Sequence, residues 1–170
     1  MVEIERKYII ELPRLDLIKS IDGCTESEIL QIYINSQPGV TKRVRRREFS
    51  DRVVYTKTQK LRINKMSAEE DEREISENEF NLLSAQIKEG TRPIIKTRYT
   101  FYYLGKPFEI DVYPEWRKSA ILETELTAED EAVDFPEVIH VIKEVTGDPA
   151  YSNAGMARHF PEEETYNEIR

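Results

Sequence analysis

Many charged residues of this sequence occur in pairs spaced two positions apart, and the two members of a pair usually have the same sign. Glu3 and Glu5 form an acidic pair, and Arg43 and Arg45 form a basic one. Residues i and i+2 of a β-strand share one face, so each pair is expected on a single strand face. Like charges so placed repel by about 1 to 4 kcal/mol at effective dielectrics of about 80 to 20. We therefore predict a cation for the acidic pairs and an anion for the basic ones. The further pairs are Glu72/Glu74, Lys96/Arg98, Glu109/Asp111 and Glu123/Glu125.

The types of these side chains indicate which ions they would bind. Carboxylates in a chain with two histidines and one cysteine favour a hard divalent cation, Mg²⁺ or Mn²⁺. Guanidinium and ammonium groups suit phosphate oxygens. Together they predict a metal-bound polyphosphate. The candidate phosphate-binding residues are Lys7, Arg43, Arg45, Lys57, Lys96 and Arg98. The candidate metal ligands are Glu3, Glu5, Asp111, Glu123 and Glu125, while Glu72 and Glu74 are assigned to a second metal or to bracketing the basic side chains.

The elements that must position these residues are β-strands, because apolar and polar residues alternate along the segments that carry them. If the sheet closes into a barrel, its charged faces meet across a polar lumen with room for one small ligand. The alternative for any single pair is a solvated outer face. The predicted strands are Val2–Ile10, Ile29–Asn35, Val40–Glu48, Arg52–Gln59, Asp71–Ser76, Pro93–Tyr103, Pro107–Tyr113 and Ser119–Leu126.

Helices are fewer, which predicts an α+β class built on antiparallel pairing with peripheral helices. Ser76 and Glu79 form a capping box that begins a helix ending near Gly90. A second helix is predicted from Pro136 to Val145, and a weaker one around 15–21. We expect one domain over residues 1–160 and an acidic tail over 161–170.

Length and composition narrow the class of protein. A chain of 170 residues suits a single hydrophobic core. The net charge of −8 argues against a general nucleic-acid binder or an anionic-membrane binder. The sequence has no long apolar run and starts with an acidic segment, and its one cysteine, Cys24, cannot form an internal disulfide. We therefore expect a cytoplasmic protein.

The order of these motifs resembles that of the CYTH superfamily, the triphosphate tunnel metalloenzymes. Glu3-Ile4-Glu5-Arg6-Lys7 matches the family signature Glu-x-Glu-x-Lys. The resemblance spans residues 1–160 and implies a closed eight-stranded antiparallel β-barrel, a tunnel that binds triphosphate with Mg²⁺ or Mn²⁺. The later motifs in family order are Gln31-Ile32-Tyr33, Arg43-Val44-Arg45, Tyr55-Thr56-Lys57, Glu72-Arg73-Glu74, Lys96-Thr97-Arg98-Tyr99, Phe108-Glu109-Ile110-Asp111 and Glu123-Thr124-Glu125.

The sequence departs from the family pattern in two places. Some members carry several basic residues in the segment that here spans 147–154, which contains none. The stretch Gln59–Asp71 is longer than a tight hairpin needs. Its Lys60, Arg62 and Lys65 either overhang a tunnel mouth or face water, and we favour water.

Three functions are open at this point. The first is metal-dependent hydrolysis of inorganic triphosphate or a related triphosphate, the second is a class IV adenylyl cyclase, and the third is a non-catalytic polyphosphate-binding module. The attacking water could be activated by the metal. The resemblance instead implies that Lys7 and Tyr33 act on the water. A lysine in a crowded cationic tunnel is expected to have a lowered pKa, which would let it act as a base. The partner is a triphosphate-containing small molecule, and a homodimer is left open.

Overall fold

Nine strands and three short α-helices form the part of the chain that the computed structural model describes, residues 1–164. The tail predicted for residues 161–170 therefore lies partly outside the described residues. The strands are β1 (Val2–Glu11), β2 (Thr25–Ile34), β3 (Val40–Glu48), β4 (Val53–Arg62), β5 (Ser67–Glu74), β6 (Ile94–Tyr103), β7 (Lys106–Val112), β8 (Ser119–Glu125) and β9 (Val141–Glu144). The helices are α1 (Leu15–Lys19), α2 (Glu77–Ser84) and α3 (Asn153–Arg158), with a 3₁₀ turn at Pro149–Tyr151.

The first eight strands close into an antiparallel barrel. Their order is β5-β4-β3-β2-β6-β7-β8-β1, and β1 also pairs with β5, which completes the ring. The closing register places Val2 opposite Glu69. The later part of β1 pairs with β9, which lies outside the ring. The predicted closed eight-stranded barrel with peripheral helices is confirmed.

Apolar side chains cover much of the outer face of the barrel. One cluster packs Tyr8 and Ile10 of β1 against Phe101 of β6 and Phe108 of β7. A second lies beneath α2, where Phe80 meets residues of β2 and β3. Burial of this surface stabilises the barrel by about 25 cal/mol per Å² of apolar area. The alternation along each strand consequently turns many of the charged residues inward.

One end of the barrel interior is filled by apolar side chains. Ile9 and Ile121 follow the inward face of β1 and β8 and pack with Tyr113 and with Met156 of α3. Trp116 joins the same cluster and donates from Nε1 to the carbonyl of Pro161 at 3.0 Å. The polar part of the interior is therefore closed at this end by α3 and the loop after β7.

Helix α2 begins where the capping pattern predicts. The Ser76 hydroxyl accepts from the backbone N–H of Glu79 at 3.1 Å, and Phe80 is buried. The helix ends at Ser84, before Gly90, because the chain then turns back so that Ile87 bridges Ile34 of β2. Within residues 1–164 no helix is long and apolar enough to cross a membrane.

The helix predicted for 136–145 is wrong. Val141–Glu144 forms β9, which pairs with Tyr8–Ile10 along the edge of β1. The β-branched residues of this segment favour a strand, and an open strand edge supplies its hydrogen bonds. Helix α3 was not predicted, since it is short and its signal is the N-cap Ser152, which accepts from Gly155 N–H at 3.0 Å.

Candidate active site

A cavity of about 590 Å³ lies inside the barrel, and every one of its eight strands contributes to the wall. The wall is mostly charged, as expected when outer faces take the apolar half of each alternating strand. The segment 145–154 covers one side of the cavity. Lining residues from the strands include Glu3, Glu5, Lys7, Tyr33, Arg43, Arg45, Thr58, Lys60, Arg62, Glu70, Glu72, Arg98, Glu109 and Glu123.

The basic part of the wall is built by β3 and β6. Arg45 is almost fully buried, and burial together with the neighbouring Arg43 and Arg98 lowers its pKa to about 9. The Nε of Arg43 is buried and has no hydrogen-bond partner within residues 1–164. Guanidinium groups crowded in this way favour binding of an anion, which would relieve their mutual repulsion.

The acidic part of the wall contains two carboxylate pairs. Repulsion from Glu123, added to by burial, raises the pKa of Glu5. Burial and Glu70 raise the pKa of Glu3 to about 8. Glu123 and Glu70 themselves stay ionised: burial opposes this, but Lys7 lowers the pKa of Glu123, and Arg43 lowers that of Glu70. An added positive charge would therefore stabilise each pair.

These carboxylates fit a hard divalent cation. Within residues 1–164 no group of three or more His, Cys, Asp or Glu side chains is arranged to hold a metal by itself. Mg²⁺ is commonly bound by one or two carboxylates, the rest of its ligands being waters and substrate phosphates. Glu5 and Glu123 provide two carboxylates for such an ion. Their mutual repulsion disfavours ionisation of both carboxylates at once, and a bound cation would remove that penalty.

Lys7 lies beside the acidic pairs. Its Nζ is 3.0 Å from a carboxylate oxygen of Glu123 and donates to the carbonyl of Tyr151 at 3.2 Å. Burial alone would lower the pKa of Lys7, but Glu123 and Glu5 outweigh it and raise the pKa. The direction is opposite to the lowered pKa expected for a lysine in a cationic tunnel. The reason is that Lys7 belongs to the acidic side of the barrel.

Asp111 and Lys96 are held in a closed network of ion pairs. Lys96 Nζ and Arg98 Nε each lie 2.7 Å from an oxygen of Asp111, and Arg98 also lies 2.9 Å from Glu109. Lys96 and Asp111 are fully buried and do not line the cavity. The structure thus does not bring Asp111 to the acidic pairs as a metal ligand, nor Lys96 to the cavity as a phosphate-binding residue. Arg98 belongs to both the network and the cavity wall.

Lys57 is on the outer face of the barrel, which corrects its placement as a phosphate-binding residue. It lies opposite Val44, a member of the apolar cluster beneath α2, and near Glu79. Lys60 faces inward instead, with Nζ 3.5 Å from Glu5 and 3.7 Å from Glu70. The sequence signal for Lys60 is the alternation along β4, which places Thr58 and Lys60 on the same face. It is visible only when β4 is extended to Arg62.

The basic residues at and near the hairpin between β4 and β5 also face the cavity. Lys60, Arg62 and Lys65 all line it, and Arg62 and Lys65 are exposed as well, so these residues border the cavity and also contact water. Lys65 is held there by a close approach to Gly147, where an added Cβ would be 2.6 Å from the Cβ of Lys65. The hairpin between β4 and β5 thus meets the segment 145–154 over the cavity.

The remaining acidic candidates differ in whether they line the main cavity. Both Glu72 and Glu74 are exposed, but Glu72 lines the cavity and accepts from the Thr58 hydroxyl at 2.7 Å, whereas Glu74 does not line it. Glu125 is exposed and borders a smaller cavity of about 190 Å³ that it shares with Glu3, Glu5, Glu109 and Glu123. Glu70 was not predicted as a site residue, although it lies two positions before Glu72 and therefore on the same strand face.

Solved structures resemble this chain over nearly its whole length, although no protein-family model and no curated protein matches it. The inorganic triphosphatase NE1496 is 26% identical, with 94% of this chain and 97% of that one covered and a TM-score of 0.60. The chain has the CYTH superfamily fold. Two further structures share this fold. They are the PH1819 protein from Pyrococcus horikoshii OT3 (20% identity, 98% and 97% covered, TM-score 0.56) and a candidate adenylate cyclase from Bacillus halodurans (14%, 99% and 96%, 0.50).

Proposed function

We propose that this CYTH-fold protein hydrolyses inorganic triphosphate, or a closely related triphosphate, with the help of a divalent cation. The observation that carries the proposal is a closed barrel whose cavity sets a cluster of cations against two carboxylate pairs. The likeness to NE1496, named as an inorganic triphosphatase, supports it.

The cationic wall supplies what phosphoryl transfer asks of a protein. Such a reaction needs in-line positioning of the phosphates and neutralisation of their charge more than covalent chemistry. Arg43 and Arg45 present guanidinium groups to phosphate oxygens, and Lys60 and Lys7 add ammonium groups from other strands. Arg98, whose Nε and Nη2 donate to Asp111, adds positive charge to the same wall. A triphosphate chain placed along this wall would be contacted from several directions.

The acidic pairs are the proposed cation site. Glu5 and Glu123 would hold Mg²⁺ or Mn²⁺, with Glu3 beside them. When bound there, the cation would neutralise phosphate charge and polarise the phosphorus–oxygen bonds. Asp111 is left out of this set because Lys96 and Arg98 occupy its carboxylate oxygens.

Lys7 is proposed to act as a cation. The pKa raised by Glu123 and Glu5 keeps its ammonium group protonated at neutral pH. A protonated lysine can hold a phosphate oxygen or donate a proton to the departing phosphate, but it cannot remove a proton from water. The base role suggested by family resemblance therefore has no support from the surroundings of Lys7.

The cavity wall favours an inorganic triphosphate over ATP. Tyr33 is the one aromatic side chain among the described residues that line the cavity. It is buried to 5% exposure, so its ring does not offer an open face for stacking a nucleobase. This weighs against the cyclase, which would have to bind adenine.

The proposal is tested by product analysis. Purified protein is incubated with tripolyphosphate, ATP or thiamine triphosphate in Mg²⁺, Mn²⁺ or EDTA. We expect orthophosphate and pyrophosphate from tripolyphosphate in either cation and none in EDTA. Cyclic AMP from ATP would instead establish the cyclase, and tight binding of tripolyphosphate without products would establish a binding module.

A further inference from the structure

Gln31 forms a hydrogen-bonded link between a cationic residue of the cavity and Tyr33, which also borders the cavity. The side chain is fully buried in β2. Its Oε1 accepts from Arg45 twice, from Nε at 2.9 Å and from Nη2 at 2.6 Å. Its Nε2 donates to the hydroxyl oxygen of Tyr33 at 2.7 Å. One amide therefore spans Arg45 and Tyr33.

The orientation of this amide follows from the chemistry of its partners. A guanidinium group has five N–H donors and no acceptor, so only the amide oxygen can face Arg45. The amide nitrogen must then face Tyr33. The usual ambiguity between the oxygen and nitrogen of a glutamine side chain is thus resolved by its neighbours.

The link determines what the Tyr33 hydroxyl can do. Because its oxygen accepts from Gln31, its own proton must point elsewhere. The charged groups that interact electrostatically with it, Lys7, Arg43 and Arg45, carry only donors. The Tyr33 hydroxyl donates to none of the described residues, and Tyr33 borders the cavity. The hydroxyl is therefore presented to the cavity as a donor.

We infer that Gln31 is a positioning residue that makes Tyr33 a hydrogen-bond donor to a phosphate oxygen of the substrate. The inference rests on the proposed triphosphate hydrolysis and assigns Tyr33 a different role from that of a group that accepts a proton from water. Arg45 contributes by fixing the amide. The Arg45 guanidinium thus has two roles. Its charge attracts the substrate, and its hydrogen bonds to Gln31 fix the amide that donates to Tyr33.

A double-mutant cycle between Gln31→Met and Tyr33→Phe tests this role. Methionine keeps the length of the side chain and removes both hydrogen-bonding groups. In the wild-type background we expect Tyr33→Phe to reduce kcat/KM for tripolyphosphate by about 10- to 100-fold, as for other donors to developing negative charge. In the Gln31→Met background the same change should cost less than about threefold, because the hydroxyl is no longer oriented.

The cycle separates positioning from general loss of structure. Any effect of Gln31→Met through Arg45 is present in both backgrounds and cancels. Gln31→Glu is the second variant, since its carboxylate still accepts from Arg45 but also draws the Tyr33 proton away from the cavity. There too, Tyr33→Phe should cost less than about threefold. Thermal melts of all variants identify any that fail to fold.

Two outcomes would overturn the inference in different ways. If Tyr33→Phe costs the same factor in all backgrounds of an active enzyme, Gln31 does not act through Tyr33, and only this inference fails. If the wild-type protein neither hydrolyses tripolyphosphate nor binds it in calorimetry, the proposed function fails and this inference fails with it. A protein that binds without turnover is tested by the same cycle on Kd.

Discussion

Two groups of charged residues inside the same barrel differ in how their charges are balanced. In the network around Asp111, Lys96 and Arg98 each lie 2.7 Å from the carboxylate, and Glu109, 2.9 Å from Arg98, brings the network to two cations and two carboxylates. In the cavity, Glu5 faces Glu123 and its pKa is raised, while Arg43 has a buried Nε without a hydrogen-bond partner among the described residues. Both groups use the same residue types at the same i, i+2 spacing. Charge balance, rather than residue type, therefore separates a structural cluster from a ligand site.

The difference predicts opposite responses to mutation. Removing one member of a balanced buried cluster leaves its partners unpaired, which costs stability. Removing one member of an unbalanced cluster relieves repulsion and costs ligand binding instead. Variants in the two groups can therefore be compared on two axes, the free energy of unfolding and the rate of triphosphate hydrolysis.

Asp111→Asn should have the largest effect on stability. It leaves Lys96 and Arg98 buried without their shared carboxylate, and we expect the free energy of unfolding to fall by about 3 to 5 kcal/mol. Urea denaturation measures this, with Glu109→Gln for comparison, because Glu109 belongs to the same network but is partly exposed, so its loss should cost less. A loss below about 1 kcal/mol, similar to that of an exposed pair, would mean that the network is not structural.

The same carboxylate predicts how stability depends on pH. Burial opposes ionisation of Asp111, but Arg98 and Lys96 lower its pKa well below that of an unfolded aspartate. Its contribution is therefore present above about pH 4, the ordinary pKa, and is lost as the pH falls toward the folded-state value. The unfolding free energies of wild type and Asp111→Asn should converge on acidification. A constant gap down to the lowest pH at which both proteins fold would contradict this.

Arg43→Met should have the largest effect on hydrolysis. We expect kcat/KM for tripolyphosphate to fall by about 10²-fold, because a charged donor to the phosphate is removed. The free energy of unfolding should fall by less than for Asp111→Asn, because Arg43 loses one longer ion pair, 3.9 Å to Glu70, instead of two at 2.7 Å. Arg46→Met is the matched control, since Arg46 is in the same strand on the opposite face and pairs with Glu48. Equal losses in the two variants would show that the cavity face has no special role.

Glu5→Gln should separate cation binding from stability. The concentration of Mg²⁺ or Mn²⁺ needed for half-maximal hydrolysis should rise about tenfold or more. The cation-free variant should be at least as stable as wild type at neutral pH, because Glu5 no longer repels Glu123. Glu69→Gln, exposed on β5, is the control. A destabilised Glu5→Gln with an unchanged cation requirement would place Glu5 in the structural class.

The smallest effect is expected for Lys60→Met compared with Lys57→Met. The two lysines are on opposite faces of β4, and Lys60 is shared between Glu5 and Glu70. We expect kcat/KM to fall about fivefold for Lys60→Met, equivalent to about 1 kcal/mol, and to stay unchanged for Lys57→Met. The reverse order would mean that the register of β4 differs from the one described.

The same pair of lysines shows how far the sequence alone could predict the site. Alternation predicted every barrel strand and placed Glu3, Glu5, Arg43 and Arg45 on inner faces, because one-sided burial is a local property of a strand. Which lysine of β4 faces inward depended on where that strand ends, and its extension to Arg62 is set by pairing with β5. Local pattern does not contain that information.

The balance of charges was likewise beyond the reach of local pattern. Asp111 and Glu123 are both acidic residues on inner faces, and the sequence treats them alike. The two carboxylates face cations of different strands. Arg98 of β6 lies opposite Asp111, and Lys7 of β1 lies opposite Glu123. The cross-strand register thus decides which carboxylate is fully paired. The fold of Val141–Glu144 as a strand depended in the same way on the open edge of β1.

The most direct test of the central claim is a crystal structure of the protein with tripolyphosphate and Mn²⁺, in which anomalous scattering locates the metal. Unbalanced charge should attract the ligands, so we expect the Mn²⁺ peak beside Glu5 and Glu123 and the phosphates against Arg43 and Arg45, with the Asp111 network unchanged. A metal peak on Asp111, or phosphate bound on the outer face near Lys57, would contradict the account.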